Sequence, residues 1–361
     1  MRVHVVDPPA YTPPYDRALC AALARAGADV ELWTSRFDYA QTPSPGGFRV
    51  VEAFYRRAPG APGSRRRRVA RLAQHVPDLL RYRRAAAAAD VVHFQWLPVQ
   101  AVDWALLPPK HPRLITAHDV LPREARPAQR AGQRALYARM DALIVHSEHG
   151  AARLRGEAGV DPEKVHVIPH GVFDQFAAVE PGPLPLARPD GPVALCFGLM
   201  RPYKGLDVLL EAWHRAELPA GAELWMVGRP RMDVSALQAA SPPNVRWLTR
   251  FVSDAELAAL FRAADLAVLP YREIDQSGVL YTALAFGTPL LLTAVGGFPE
   301  VARTGAAELV PPGDPGALAC ALGALLGDPA RRAGAPDGPY GWDAIARRTL
   351  VLYAALQANT T

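Results

Sequence analysis

The sequence predicts an α/β protein built from two doubly wound, parallel-sheet domains. Three observations predict it. Short apolar runs alternate with helical stretches along all 361 residues, the pattern of a sheet whose strands are joined by crossover helices. The alternation is interrupted by a proline-rich segment, Pro181-Gly182-Pro183-Leu184-Pro185 through Pro189 and Pro192, and then restarts. The length suits roughly two domains.

In the first half, strands are expected at Val3–Val6, Val30–Trp33, Val50–Ala53, Val91–Phe94, Leu114–Ala117 and Ala142–Val145. Helices such as Asp16–Ala26 and Gln129–Arg139 separate them, and a last strand, Val165–Ile168, leads into Pro169-His170-Gly171-Val172. Beyond the prolines, strands are expected at Val193–Phe197, Leu224–Val227, Val245–Leu248, Leu266–Leu269, Leu290–Leu292 and Glu308–Val310. The domains expected are residues 1–175, a linker over 176–192, residues 193–345, and a C-terminal helix over 346–361 that packs back on the first domain. Two such halves are expected to face each other across a cleft lined by strand ends, where ligands bind in open parallel sheets.

Half the residues are hydrophobic and 21% are charged, the balance of an ordinary globular protein. Cys20, Cys196 and Cys320 lie far apart and lack metal-ligand spacing, so neither a disulfide framework nor a zinc site is expected and a reducing cytoplasm is. Met1–Asp7 reads as a strand rather than a signal peptide, and no apolar run reaches the ~18 residues that span a bilayer. The net charge is +5, unevenly spread: Arg56 to Arg84 holds ten arginines, including Arg65-Arg66-Arg67-Arg68, against one acid, Asp78. Val69, Leu72, Val76, Leu79 and Leu80 fall among them at helical spacing. The segment fits a basic amphipathic helix on an anionic membrane surface and equally a solvated face in an arginine-rich chain. Without interleaved aromatics or a recognisable module, nucleic acid is not an expected partner.

The basic residues number forty, and only Lys110, Lys164 and Lys204 are lysine. A lysine is most often a solvated charge, but Lys204 follows the strand Val193–Phe197 in Gly198-Leu199-Met200-Arg201-Pro202-Tyr203-Lys204-Gly205, just before a helix. Arg201 and Lys204 thus share a loop at the carboxyl edge of the sheet, where a guanidinium fork and a point charge suit a diphosphate. A second loop follows Leu266–Leu269 and runs through Glu273, Asp275, Gln276, Ser277 and Gly278 into a helix starting near Val279. Ser277 is the expected N-cap, and the amides of the first turn offer an anion site. Thr282 lies one turn further on. A third loop, Ala294-Val295-Gly296-Gly297-Phe298-Pro299-Glu300, carries paired glycines that allow tight turning and close ligand approach.

These motifs resemble the retaining glycosyltransferases of family 4, which have the GT-B fold. The matching segments are Phe197–Trp213, Leu224–Gly228, Phe251–Pro270, Ser277–Glu300 including Gly287-Thr288-Pro289, Pro169–Val172 and Trp342-Asp343. The resemblance implies a nucleotide-diphosphate sugar, UDP- or GDP-linked, bound by the C-terminal domain as co-substrate, with no cofactor; the fixed positive charge at the diphosphate and the lack of an Asp-x-Asp motif make a metal unexpected. Arg201 and Lys204 would hold its diphosphate, Phe251 and Val252 would pack by the base, and Gly296, Gly297 and Glu300 would line the donor site. The acceptor, a saccharide, lipid-linked saccharide or small metabolite, would bind mainly to the N-terminal domain. There His118-Asp119 looks like the family's cleft histidine, His170-Gly171 resembles the hinge-side motif, and His93 is a further strand-end candidate. A histidine so placed also suits a purely structural role, and both readings stand.

The chain departs from the family in two places. Many members carry two glutamates eight positions apart around the phosphate helix, and Ile274 and Thr282 occupy those positions here. The chain resembles instead a subgroup reading Gln-Ser-Gly, with Glu273 or Asp275 left for the sugar and Thr282 for the ribose. The glycine-rich acceptor loop is replaced by Pro8-Pro9-Ala10-Tyr11-Thr12-Pro13-Pro14-Tyr15, a stiffer loop that puts Tyr11 and Tyr15 on the acceptor side. No Asp-x-Asp motif is present. Transfer with retention to an acceptor hydroxyl is the expected reaction, at the cytoplasmic membrane face if the arginine-rich helix docks there. A nucleotide-sugar epimerase of similar fold and a non-catalytic docking protein are the alternatives.

Overall fold

A computed structural model describes residues 1–38, 45–109, 112–121, 127–328 and 339–359; Lys110 falls outside them. The chain forms two compact units, Met1–Gly171 with Pro339–Thr361, and Val172–Gly338. In both, the central strands are short, nearly continuous apolar runs, as burial on two faces requires, while the edge strands β3, β7, β10 and β13 are more exposed and carry polar residues.

The first unit is a parallel sheet of seven strands: β1 (Arg2–Asp7), β2 (Asp29–Ser35), β3 (Arg49–Phe54), β4 (Val91–Phe94), β5 (Arg113–Thr116), β6 (Ala142–Val145) and β7 (Val165–Val167). Their order is β3-β2-β1-β4-β5-β6-β7. The direction of winding reverses between β1 and β4, so the loops after those strands flank the crevice that such sheets use for ligands. Helix Pro13–Arg25 begins a turn earlier than its apolar pattern suggests, because Pro13 suits the first helical turn, where no amide is needed. Tyr15 therefore stands on a helix and not in the loop. The C-terminal helix, Trp342–Ala358, packs against Pro13–Arg25 through Ile345, Ala346 and Tyr353, and Arg25 clasps Asp343 with two hydrogen bonds of 3.0 and 2.6 Å.

The arginine-rich segment is helical over Arg65–Ala85, with the Ser64 hydroxyl accepting from the Arg67 amide at 3.3 Å. It buries His75, Asp78, Leu79 and Tyr82 against the sheet. The apolar residues at helical spacing are not its core face, with the exception of Leu79. Val69 and Leu72 are 62% and 60% exposed, and Val76 and Leu80 are exposed with them.

The second unit is a parallel sheet of β8 (Val193–Phe197), β9 (Glu223–Val227), β10 (Val245–Leu248), β11 (Leu266–Leu269), β12 (Leu290–Thr293) and β13 (Ala307–Val310), ordered β10-β9-β8-β11-β12-β13. Here the reversal falls between β8 and β11. The helices are cut to length by caps: Asp254–Ala263 starts with a Ser253/Glu256 capping box, and Pro315–Gly327 starts with Asp314 accepting from the Ala317 amide. Helix Leu206–Arg215 buries Leu209, Leu210 and Trp213 and packs on Pro315–Gly327. The proline-rich stretch runs along this unit, its Gly182 amide donating to the Ala255 carbonyl at 3.0 Å.

Gly171 shows how tightly the first unit closes on its C-terminal helix. A Cβ there would stand 2.4 Å from Trp342 Cε2. Gly171→Ala is therefore expected to cost about 1–3 kcal/mol by overpacking, read as a lowered midpoint of thermal or denaturant unfolding. An unchanged midpoint would show that the ring yields freely.

Candidate functional site

In the second unit, the loops after β8, β11 and β12 interlock at the carboxyl edge of the sheet. Gly205 has φ +64, and a Cβ there would lie 2.1 Å from the Pro270 carbonyl oxygen. Gly296 has φ +55, and its Cβ would lie 1.8 Å from the Ile274 carbonyl oxygen. Both are left-handed positions at which only glycine lets the backbones touch. The close approach expected of Gly296 thus goes to a neighbouring loop. Polar bonds fasten the same loops: Arg272 forks onto Asp207 (2.9 and 2.5 Å), its amide donates to the Tyr203 carbonyl (2.7 Å), and Thr293 Oγ1 donates to the Tyr271 carbonyl (2.6 Å).

Lys204 is enclosed between the β8 and β11 loops. It is only 6% exposed, unlike the solvated charge its residue type suggests. Its Nζ reaches the Phe197 carbonyl at 3.4 Å and lies 4.8 Å from the centre of the Tyr271 ring, an arrangement that holds a cation in a partly apolar place. Gly198 makes room for it. Nζ and Val279 Cγ2 both come within about 3 Å of where a Gly198 Cβ would stand, so the ammonium and the first turn of helix Gly278–Ala285 meet over that glycine. Arg201, three residues earlier, is exposed. Sequence reasoning missed Tyr271 and the role of Gly198; the glycine directly after β8 was the available signal.

The other residues of the donor-side set lie in the loops after β10, β11 and β12 and in the helices that follow. Ser277 occupies the N-cap position, but its hydroxyl caps nothing and lies 3.3 Å from the Tyr271 hydroxyl. The helix start is open instead at Gly278, which is exposed, with the Phe173 ring 3.3 Å from where its Cβ would be. Thr282 is buried and donates its hydroxyl to the Gly278 carbonyl at 2.9 Å, so that proton is committed within the helix and the oxygen remains as an acceptor. Gln276 Oε1 accepts from the Tyr281 hydroxyl at 3.0 Å. Asp275 is buried, Glu273 exposed, Gly297 buried and Glu300 half-buried in the first turn of helix Phe298–Ala302. Phe251 and Val252 follow β10 and part company: Val252 is buried in the unit, while Phe251 is 53% exposed.

In the first unit, the strand-end histidines collect around Tyr15. The Tyr15 ring lies 4.8 Å from His118, 4.9 Å from His170, 5.4 Å from His146 and 5.1 Å from Trp342. His118, half-buried, stacks on Trp96 at 5.1 Å and 15°. Its Nε2 is 3.0 Å from Gln95 Oε1 and its Nδ1 is 3.4 Å from His146 Nε2. His146 Nδ1 donates to the Ile168 carbonyl at 3.0 Å, and His170 Nδ1 donates to the Gly171 carbonyl at 2.6 Å. His93 is bonded at both nitrogens, to Tyr353 Oη (2.6 Å) and Thr116 Oγ1 (2.7 Å). Tyr11, mostly exposed, meets the edge of Trp96 at 5.4 Å, and Asp119 is exposed beside His118. The loop before Tyr15 is organised by Asp7, whose buried carboxylate accepts from the Tyr11 and Thr12 amides at 2.7 and 3.4 Å. Burial raises the Asp7 carboxyl to about 6, and burial beside Asp7 raises Asp16 well above the usual range. Gln95, Trp96, His146 and the Asp7–Asp16 pair carried no sequence signal that set them apart; Trp342 was marked only as part of a family segment.

Burial, with the neighbouring imidazoles, holds these histidines neutral. His93 is pushed down to about 3 and His146 to about 4, and His118 and His170 lie well below the usual range. Among the described residues, no group of three or more His, Cys, Asp or Glu is placed to hold a metal ion. Unfolding frees the imidazoles to bind protons near pH ~6.5. The cluster therefore contributes stability above that pH and loses it as the pH falls toward the folded values, by up to about 1.4 kcal/mol per pH unit for each histidine. The ring resonances of His93 and His146 are expected to stay in the neutral form down to about pH 5 by NMR; titration of either near its ordinary value would mean that the cluster is open to water.

Two Rossmann-like α/β units in one chain, the second with a cationic loop beside an open helix start at its switch point, define the GT-B class of glycosyltransferase. Residues 17–176 match the family model described as Glycosyltransferase Family 4, and residues 191–328 match Glycosyl transferases group 1. The chain is 30% identical to the D-inositol 3-phosphate glycosyltransferase of Xylanimonas cellulosilytica, over 94% of its own length and 90% of the relative's. It belongs to glycosyltransferase family 4. In fold it is similar to the sucrose-phosphate synthase of Thermosynechococcus elongatus (TM-score 0.77, 22% identity, covering 99% and 100% of the two chains). It is also similar in fold to HepE of Anabaena solved with UDP-glucose (TM-score 0.69, 19% identity, covering 100% and 99%).

Proposed function

We propose that this glycosyltransferase moves a hexose-type sugar, with retention and without a metal, from a UDP- or GDP-linked donor to an acceptor hydroxyl. One observation carries the reading: the buried Lys204 ammonium lies over Gly198 and near the Tyr271 ring, beside the open start of helix Gly278–Ala285. The hard event in such a transfer is departure of the diphosphate from an oxocarbenium-like centre. A fixed cation and helix-end amides aimed at the leaving group stabilise the charge as it develops, at no cost in reorganisation. Lys204 and the Gly278–Val279 amides take that role, with Arg201 closing on the diphosphate from the exposed side. The departing phosphate takes the acceptor proton, and neutral His118 orients the acceptor or the sugar rather than acting as a strong base. Glu273 or Asp275 contacts the sugar, and Thr282 accepts from a ribose hydroxyl. Phe251 stacks by the base, with Val252 supporting its loop from within.

The UDP-glucose in the HepE structure supports a UDP-hexose, and the relatives' D-inositol 3-phosphate supports a phosphorylated polyol among the acceptor classes. Lys204→Ala is expected to lower acceptor-dependent nucleotide release at least thirtyfold, since a transition-state contact is worth about 2 kcal/mol or more. A loss under about threefold in a folded variant would remove the diphosphate role. Nucleotide release that needs no acceptor would favour an epimerase, and failure to bind any nucleotide diphosphate would favour a docking protein.

The outward face of helix Arg65–Ala85 supports docking to an anionic membrane. Val69, Leu72, Val76 and Leu80 form an exposed apolar stripe flanked by Arg65, Arg66 and Arg68. The protein is expected to float with vesicles containing phosphatidylglycerol and to be released by salt; equal flotation with neutral vesicles, or none with either, would exclude an electrostatic surface contact.

A further inference from the structure

We propose that the first unit carries a phosphate-binding subsite at the carboxyl ends of β2 and β3, apart from the histidine cluster. It rests on the reading above in taking the first unit as the acceptor side. A cavity of about 340 Å³ opens there, lined by Arg36, Arg56, Arg67 and Arg71 against Asp38 and Glu52. Arg67 is occupied: it pairs with Asp38 and donates to the Gly60 carbonyl at 3.1 Å. Arg36, Arg56 and Arg71 form no ion pair among the described residues, so the cavity keeps an excess of positive charge.

Arg71 is the built part of the site. Its guanidinium lies 5.1 Å from the centre of the Tyr55 ring, Nη2 donates to Ser35 Oγ at 3.3 Å, and Nε is buried with no hydrogen-bond partner. A guanidinium parked on an aromatic face and paired with no carboxylate is suited to a tetrahedral oxyanion approaching its open Nη edge.

The platform under Arg71 is held at some expense. Tyr55 has φ +55, a conformation that a bulky side chain rarely adopts. Its amide donates to buried Asp78 at 2.7 Å, and its hydroxyl donates to His75 Nδ1 at 2.7 Å. His75 Nε2 in turn donates to the fully buried Asp103 at 2.5 Å. Three buried polar side chains thus fix one tyrosine at the mouth of a basic cavity, the kind of local strain that accumulates where a ligand is bound. The phosphate belongs either to a soluble phosphorylated acceptor or to a lipid headgroup.

Binding of radiolabelled orthophosphate to the full chain, measured by equilibrium dialysis with excess UDP and GDP filling the donor site, tests this. One saturable site is expected. Arg71→Gln and Arg56→Gln should each weaken it at least tenfold. Arg65→Gln, on the same helix outside the cavity, should change it less than twofold, and UDP affinity should be unaltered in all three. Competition by glycerol 3-phosphate but not by phosphatidylglycerol vesicles would identify a soluble phosphate, and the reverse a headgroup. Absence of saturable binding, wild-type binding in Arg71→Gln and Arg56→Gln, or an equal loss in Arg65→Gln overturns the proposal. Failure of both UDP and GDP to bind would instead overturn the donor assignment, leaving the phosphate measurement to be read by itself.

Discussion

Backbone-to-backbone contact among the β8, β11 and β12 loops is the constraint on which the second unit's site depends. Gly205 presses on the Pro270 carbonyl and Gly296 on the Ile274 carbonyl, at spacings that leave no room for a Cβ. Once these loops are locked together, Lys204 has one place to go, over Gly198 and under the Tyr271 ring. A flexible ammonium is held in one place by the contacts around it, and a held charge is what the leaving-group role proposed for it requires. The Arg272–Asp207 fork and the Thr293–Tyr271 bond add direction to a contact that the glycines permit.

The first unit solves a different problem. Its strand ends carry four histidines, and an uncompensated positive charge in their midst would be costly. Burial keeps the rings neutral, and carbonyls, hydroxyls and the Gln95 amide satisfy their polar edges. Tyr15 and Trp342 then pack against the cluster as they would against any apolar surface. The C-terminal helix is part of this arrangement, since Tyr353 closes His93 and Trp342 leaves space for no more than a hydrogen at Gly171. Such a cluster can orient a polar ligand by directed lone pairs without taking a proton from it.

Charge in this chain is written almost entirely as arginine, and the arginines divide by surroundings. Those on the outward face of helix Arg65–Ala85 stand among exposed valines and leucines. Arg71, on the same helix, turns inward to a tyrosine ring and a serine hydroxyl. The composition of the segment is uniform, and the two environments differ only because the helix lies on β3 with one face covered.

The sequence by itself determined the two α/β units and every strand of both sheets, because central strands buried on two faces must be apolar runs, and the edge strands still stand out as short segments with β-branched residues, spaced by helices. It also determined that Arg201 and Lys204 lie in the loop after β8 and that a helix starts near Gly278, since glycine and proline interrupt a strand and an apolar helical pattern follows each loop. Tertiary structure decided the rest. That Ser277 faces Tyr271 instead of capping its helix, that Thr282 spends its proton on Gly278, and that Gln95, His146 and Trp342 surround His118 and Tyr15 all follow from side chains brought together from distant positions. Periodicity and local motif report which face of an element is buried; they carry no information about which partner is waiting there.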